Sequence, residues 1–385
     1  MTGSENHDSK SKASQCCQPP NQLVNLDIRS SKDSDIAYRE THFILGKIRS
    51  AIGDIPLIDT KLNFADRLDS WKARWGIRRM SFHIEPRLYA IGNPTETSPV
   101  FVTANYKMSF DRLRSQLDGI DGWILVLDTK GINVWCAASK GTFGTDEIVH
   151  RVEITGLRKI VTHNRLIVPQ LGATGVSAHL VKQLSGFRVV YGPVRARDIK
   201  AFLQSGMKAT PEMRRVTFKF PERIALIPVD VVGSLKYAIP ASICFFFLSG
   251  LGSGLYSLDR VASYGIINAA IPLAAALVGA ILPPALLPWL PGRAFSIKGA
   301  WTGILLLLGI FLLVRQHPDA FSSWLSLAGW FFLIPAATSF IGMNFTGSST
   351  YTSLSGVKKE MRVAVPAQIT GAAVGLGLWV TGLFV

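Results

Sequence analysis

Charge is distributed so unevenly along the 385 residues that the chain divides into two parts. Residues 237–385 contain only ten charged side chains: Asp259, Arg260, Arg293, Lys298, Arg315, Asp319, Lys358, Lys359, Glu360 and Arg362. The first 236 residues carry the remaining 34 Lys and Arg against 23 Asp and Glu, a net charge of +11. Because charged side chains are costly inside a bilayer, this pattern predicts a basic soluble part followed by a membrane part.

Five apolar segments account for the second part: 237–256, 264–290, 297–314, 324–343 and 363–385. Each is long enough, or nearly so, to cross about 30 Å of hydrocarbon. We therefore predict an all-α transmembrane domain of about five helices over residues 237–385. The second segment contains Pro283 and Pro284, which can break a helix.

The positions of Lys and Arg predict the orientation of these spans. Basic residues cluster at 211–236, at Arg293 and Lys298, and at 358–362, whereas the opposite loops carry only Arg260 and Arg315. The positive-inside rule then places the soluble domain in the cytoplasm and the C-terminus outside, as expected for a multi-pass protein of the cytoplasmic (inner) membrane in contact with membrane lipid. The polar loop 344–362 faces the soluble side, either as a docking surface or as a plain connection.

The soluble part has three predicted regions. Residues 1–37 are poor in large apolar side chains, so they predict a disordered tail, and this tail contains the adjacent thiols Cys16 and Cys17. Residues 38–225 alternate strand-like with helix-like segments, which predicts a Rossmann-like α/β domain with a mostly parallel sheet. Residues 226–236 are interpreted as a basic juxtamembrane linker.

Cys136 follows the apolar, strand-like run 123–127 by a short glycine-containing connection. Ligands of open α/β sheets bind outside the carboxyl ends of the strands, and a thiolate is a soft metal ligand. Small residues after Cys136 leave room for a large, flat group. The alternative is a small buried apolar residue, which is the interpretation that a cysteine without these neighbours favours.

Two later connections have the same glycine-containing character. Gly172, Ala173 and Gly175 precede a helix-like segment that begins near Val176, and residues 191–193 follow another strand-like run. If the sheet is parallel, both connections lie on the same rim as Cys136 and form a broad basin with it. The alternative is ordinary strand-to-helix turn chemistry.

Residues 133–140, Asn-Val-Trp-Cys-Ala-Ala-Ser-Lys, resemble the signature of the mercury-methylating corrinoid proteins (HgcA) at every position except Ser139, where that family has Gly. The family is related to the corrinoid domain of corrinoid iron–sulfur proteins of the acetyl-CoA pathway. The resemblance implies a cobalamin-type corrinoid whose cobalt takes Cys136 as lower axial ligand and as the catalytic residue. The expected cofactor-binding residues are Asn133, Val134, Trp135, Cys136, Ala137, Ala138, Lys140, Gly141, Thr142, Gly172, Ala173, Gly175, Val176, Tyr191, Gly192 and Pro193.

The resemblance also implies a reaction and partners. The expected activity is that of a methyltransferase in which the corrinoid cobalt passes a methyl group to Hg(II), giving methylmercury, in an anaerobic setting. The methyl donor is unidentified, and the electron donor would be a ferredoxin-like protein with two 4Fe-4S clusters. Lys140 is expected to help keep Cys136 ionised. His150 and His163 are the competing cobalt ligands.

Two other functions fit the sequence. One is a membrane corrinoid methyl carrier of another one-carbon pathway with a different acceptor. The other is a transporter with a regulatory soluble domain, which is disfavoured because the only charges of the spans lie at their ends. The basic charge suits anionic headgroups or an acidic protein; without a recognisable nucleic-acid motif, we expect no nucleic-acid partner. The four scattered cysteines contain no CxxC pair, so we expect no iron–sulfur cluster held by this chain in the usual way.

Overall fold

The computed structural model describes residues 42–345 and 354–385. The predicted disordered tail, with Cys16 and Cys17, lies outside the described residues, as does the middle of the polar loop that precedes the last predicted span. Over the described ranges, an N-terminal α/β domain is followed by a C-terminal helical region. The predicted succession of fold classes is confirmed.

One mixed sheet of seven strands forms the centre of the α/β domain, in the order β1-β2-β3-β5-β4-β6-β7. Four neighbouring strands, β5, β4, β6 and β7, run parallel. β3 is antiparallel to β5, and β1 forms an antiparallel hairpin with β2. The strands are β1 Ile44–Ser50, β2 Gly53–Ile58, β3 Leu88–Ile91, β4 Val100–Ala104, β5 Gly122–Leu127, β6 Arg165–Val168 and β7 Arg188–Tyr191.

Both faces of this sheet are covered by helices. Every residue of β4 and β5 is buried, as expected for central strands of a sheet packed on both sides. One core contains Ala137, Ile148 and Val181 from α3, α4 and α5, and the other contains Phe110 and Phe202 from α2 and α6. The helices are α1 Phe64–Arg74, α2 Lys107–Arg114, α3 Val134–Lys140, α4 Thr145–Ile154, α5 Ala178–Ser185 and α6 Ile199–Gln204.

The hydroxyl of Thr145 does not cap α4. Gly144 is the N-cap residue, and Thr145 is the first residue of the helix. The Thr145 hydroxyl instead accepts a hydrogen bond of 2.9 Å from the backbone N–H of Ser177. Because that contact ties the start of α4 to the connection before α5, the hydroxyl links two segments of the chain rather than ending one helix.

Among the described residues of the C-terminal region, five helices are long and apolar enough to span a membrane, which confirms the predicted number. The predicted linker 226–236 lies almost entirely within the first long helix, because its residues are mainly apolar and continue the helical segment. A small hairpin, β8 Leu251–Gly252 with β9 Leu255–Tyr256, follows that helix. The C-terminal helices are α7 Phe220–Ile224, α8 Ile227–Leu248, α9 Ile266–Ala285, α10 Phe295–Gln316, α11 Trp324–Asn344 and α12 Leu354–Thr381.

Asn268 on α9 joins three of these helices inside the bundle. Its side-chain oxygen accepts hydrogen bonds from the indole N–H groups of Trp330 on α11 and Trp379 on α12, at 2.9 and 3.0 Å. Polar groups buried among membrane helices bind one another across helix contacts. This amide therefore fixes the arrangement of α9, α11 and α12. The Pro283–Pro284 pair, predicted as a possible break, lies in the last turn of α9.

Candidate functional site

Cys136 lies in the first turn of α3, a seven-residue helix that is separated from the carboxyl end of β5 by six residues. Asn133 is the N-cap residue, and its side-chain oxygen accepts a 3.0 Å hydrogen bond from the backbone N–H of Cys136. Gly141 ends the helix in a left-handed conformation, with φ of 82°. The Cys136 side chain is half-buried, so the fold presents a partly accessible thiol at the strand-end rim of the sheet.

Asn105, at the end of β4, organises the connection that leads to α3. Its side-chain oxygen accepts hydrogen bonds from the backbone N–H groups of Thr129 and Gly131, both at 3.0 Å, and from the Thr129 hydroxyl at 2.8 Å. The same hydroxyl lies 2.7 Å from the carbonyl oxygen of Ile132, so its single proton serves both of these acceptors. One buried amide therefore sets the path of the loop that positions Asn133 and Cys136.

We expect Asn105→Leu to loosen this loop while leaving the sheet intact. The change keeps the side chain's size but leaves the N–H groups of Thr129 and Gly131 without their buried acceptor, at a cost of about 1–3 kcal/mol for each unsatisfied group. Hydrogen exchange of the full chain in detergent should show protection in residues 128–133 falling by about 10-fold or more. Asn93→Leu, at an exposed asparagine of another loop, is the matched control. Equal exchange in the two variants would contradict this role for Asn105.

Small residues beneath α3 allow the backbone of the next connection to pack against it. A Cβ atom on Gly175 would lie 2.9 Å from the Ala138 Cα atom and 2.3 Å from the Phe143 carbonyl oxygen, and one on Gly172 would lie 2.4 Å from the Phe143 ring. Ala137 and Ala138 are buried at this contact. In the structure, the space that the sequence suggested for a flat ligand is filled on this side by protein.

A cavity of about 370 Å³ opens on the same rim. All three predicted connections contribute to its wall: Asn133, Val134 and Trp135 from the first, Pro169 and Leu171 from the second, and Gly192 and Pro193 from the third. The three turns therefore meet around one cavity in the structure. The second turn contributes Pro169 and Leu171 to its wall rather than the predicted Gly172, Ala173 and Gly175.

The remaining predicted residues lie beside this cavity rather than in its wall. Cys136 follows Trp135 in α3, and Ser139 and Lys140 are exposed at the end of that helix. The Tyr191 hydroxyl donates a 2.7 Å hydrogen bond to the carbonyl of Val176, and burial raises the pKa of this hydroxyl. Tyr191 thus holds the second connection to the third.

Four polar residues that the sequence reasoning missed also line the cavity: Thr103, Tyr106, Ser109 and Arg112. Arg112 is the charged residue among the described lining residues. Burial raises the pKa of the Tyr106 hydroxyl, an effect opposed by the charges of Arg79 and Arg74, so the phenol remains protonated at neutral pH. Thr103 lies near the carboxyl end of β4 and the other three residues follow that end, so the rule that ligands bind at strand ends could have identified them.

Neither competing histidine lies at this rim. His150 is exposed on α4. A ring nitrogen of His163 lies 2.8 Å from the carbonyl oxygen of Ser98, and both residues precede the amino ends of their strands. His163 is therefore at the opposite edge of the sheet from Cys136.

The segment that builds this rim is similar to known proteins. Residues 78–203 match the family model described as CO dehydrogenase/acetyl-CoA synthase delta subunit. The acetyl-CoA decarbonylase/synthase complex subunit gamma of Archaeoglobus fulgidus is 33% identical over 128 residues, which is 33% of this chain and 27% of that protein. A second such subunit, subunit gamma 2 of Methanosarcina thermophila, is 37% identical over 115 residues, 29% of this chain and 24% of the relative.

The corrinoid/iron-sulfur protein large subunit of Moorella thermoacetica is 29% identical over 131 residues, 34% of this chain and 29% of that subunit. The chain thus spans about a quarter of the length of the curated relatives that it matches. Over this segment it is related to corrinoid and acetyl-CoA decarbonylase/synthase proteins. The family match includes every predicted site residue and ends before the first candidate membrane helix.

Proposed function

We propose that this protein is a membrane-anchored, corrinoid-dependent methyltransferase that passes a methyl group to Hg(II), giving methylmercury, with Cys136 as the lower axial ligand of cobalt. The observation that carries the proposal is the position of the half-buried Cys136 in the first turn of α3. That turn lies at the strand-end rim, inside the segment related to a corrinoid/iron-sulfur protein. The resemblance of residues 133–140 to the mercury-methylating family supplies the acceptor.

The residues of the rim suit a corrinoid. The cavity volume of about 370 Å³ is at the low end for ligand pockets, so a corrinoid would extend beyond the cavity. Apolar groups of Val134, Trp135 and Pro193 offer contact area. Arg112, which lines the same cavity as Ser109 and Tyr106, suits an anionic group such as a phosphate.

The chain's own groups have separable roles in this proposal. A bound corrinoid would supply cobalt as the carrier of the methyl group. Asn133 fixes the backbone of Cys136 through its cap and so orients the thiol. Lys140 is exposed at the end of α3, one helical turn after Cys136. A thiolate donates electrons more strongly than a neutral imidazole, which suits transfer of the methyl group to an electrophile such as Hg(II).

A second function is favoured by the relatives themselves. The similar proteins are named as subunits of acetyl-CoA decarbonylase/synthase complexes, so a methyl carrier of another one-carbon pathway would use the same rim with a different acceptor. In both cases we propose a ferredoxin-like electron donor with two 4Fe-4S clusters. We also propose a cytoplasmic α/β domain and an external C-terminus, from the distribution of Lys and Arg.

Anaerobic purification of the full chain, expressed with a supply of cobalamin, distinguishes these functions. We expect about one cobalt per chain, a corrin absorption spectrum, and methylmercury after addition of Hg(II) to the methylated protein. Bound cobalt with methylation of a thiol acceptor but not of Hg(II) would favour the second function. A chain that retains no corrinoid under these conditions would contradict both.

A further inference from the structure

Helix α1 presents an apolar stripe on its outer surface. Phe64, Leu68 and Trp71 are 80%, 37% and 55% exposed, and their spacing of four and three residues places them on one face of the helix. Single exposed apolar residues are common on proteins, but a contiguous stripe of large ones indicates a contact surface.

Contacts on the opposite, buried face of α1 fix the direction in which this stripe points. Asp66 and Ala73 of α1 are buried, and Asp66 forms ion pairs of 2.7 Å with Lys107 and Arg114 of α2. Rotating α1 to bury Phe64 and Trp71 would expose this side and break both ion pairs. The stripe therefore faces away from the domain as a stable feature of the fold.

Aromatic and basic residues accompany the stripe. The ring of Trp75 lies 5.7 Å from that of Trp71, and exposed Ile77 extends the apolar surface beyond the end of α1. Arg67 and Arg78 are exposed, and Lys72 and Arg74 are partly exposed. Tryptophan beside Lys and Arg is the composition of helices that lie in the interface of an anionic bilayer.

The end of α1 lies beside the first candidate membrane helix. A Cβ atom on Gly76 would be 3.8 Å from the Val232 Cγ1 atom of α8, and Arg79 lies close enough to Asp230 for their charges to interact. Val232 is about 24 Å from Leu248, the last residue of α8, at 1.5 Å per residue along the helix axis. A hydrocarbon layer of about 30 Å that begins at Leu248 therefore reaches the level of Val232.

We propose that α1 is an interfacial helix whose apolar stripe, Phe64, Leu68 and Trp71, lies among the lipids at the bilayer surface. The α/β domain is then held against the membrane at two places, by α8 and by α1. The charges of Arg74 and Arg79 act on Tyr106, a residue of the rim cavity, so this contact also holds the cavity near the bilayer. An acidic protein would suit the basic residues equally well. Lipid is favoured because Gly76, just after the end of α1, lies beside Val232 of α8, at a depth that the hydrocarbon layer reaches.

A fluorescent amino acid at position 71 tests this contact in the full chain. The protein is reconstituted in nanodiscs that contain phosphatidylcholine, phosphatidylglycerol and a lipid with a nitroxide near its headgroup. The matched control carries the reporter at Leu184, which is 57% exposed on α5, a helix of the opposite face of the sheet. We expect quenching at position 71 to be at least about three times that at position 184. Equal quenching would overturn the proposal and leave the stripe to a protein partner.

A second comparison asks whether the stripe itself makes the contact. Phe64→Ser with Leu68→Ser, both at exposed positions, leaves Asp66 and its ion pairs in place. Quenching at position 71 should fall by about half or more in this variant, and unchanged quenching would overturn the role of the stripe. Neither measurement requires a bound corrinoid or Hg(II), so the outcome is independent of the proposed methyl transfer.

Discussion

Replacing Cys136 by alanine is expected to lower methyl transfer to Hg(II) by more than about 100-fold. Loss of groups that merely support a metal ligand typically costs 10–100-fold, and this change removes the proposed ligand itself. The α3 helix should survive, because Asn133 accepts its capping bond from the backbone N–H of residue 136 rather than from the thiol. Methylmercury production and the corrin absorption spectrum of the anaerobic protein are the two measurements.

Histidine at position 136 separates ligation from simple loss of the side chain. Imidazole can also bind cobalt, but it is neutral and a weaker donor than a thiolate. We therefore expect Cys136→His to retain some corrinoid with an altered spectrum and to have little activity. Ser139→Gly should be tolerated, since the Ser139 hydroxyl donates a hydrogen bond within its own helix, to the carbonyl of Trp135 at 3.2 Å.

Cys244→Ala is the matched control for the Cys136 variants. Cys244 is exposed on α8, within a candidate membrane span, so its loss should change neither the spectrum nor the activity. Wild-type methylation together with an unchanged spectrum in Cys136→Ala would contradict the axial-ligand role. The same result would remove the main support for the proposed function.

Local sequence patterns were sufficient to predict the part of the fold that carries the site. The apolar runs of β4 and β5 are typical of strands buried on both faces, and strand-helix alternation indicates parallel neighbours. Those two observations place Cys136 at a rim. The hairpin of β1 and β2 and the reversed direction of β3 were not predicted, because an edge hairpin has weak periodicity and the residues of a strand do not specify its direction.

The site could be predicted only in outline, because local residues do not specify the partners that they meet in the folded chain. Glycine at positions 172 and 175 indicates that something approaches the backbone closely, but it does not specify whether that is a ligand or the chain itself. In the structure, Phe143 and Ala138 take that place. Asn105 was missed because its partners lie on a connection that follows the next strand, and no local pattern relates the two.

The second large effect is expected from the buried ion-pair cluster between α1 and α2. The Lys107 side chain is 4% exposed, and its ammonium group lies 2.7 Å from carboxylate oxygens of both Asp66 and Asp111. Arg114 also pairs with both carboxylates, at 2.7 and 2.8 Å. Burial raises the pKa of Asp66, but the hydrogen bonds and charges of Lys107 and Arg114 outweigh this and hold its pKa below the usual value.

Lys107→Met should lower the free energy of unfolding by about 3–5 kcal/mol, since it leaves buried carboxylates without one of their two cations. Lys130→Met is the control: the Lys130 side chain is 71% exposed in its ion pair with Asp128, and such surface pairs contribute about 1 kcal/mol or less. The two variants are compared by their melting temperatures, measured as the loss of secondary structure when the full chain in nanodiscs is heated. Similar melting temperatures for both would contradict the stabilising role of the cluster.

The pH dependence of the Lys107→Met effect provides a further check on its cause. Burial already raises the pKa of Asp111, while Lys107 is the first of the groups that oppose this, so removing Lys107 should raise that pKa further. A carboxyl whose folded-state pKa is raised contributes stability below its unfolded pKa, and this contribution is lost as pH rises through the folded value. The difference in free energy of unfolding between Lys107→Met and the parent protein should therefore be largest at neutral pH. It should become smaller as the pH falls toward about 4, where an unfolded aspartate takes up its proton. A difference that grows on acidification would show that unpaired buried carboxylates are not what destabilises the variant.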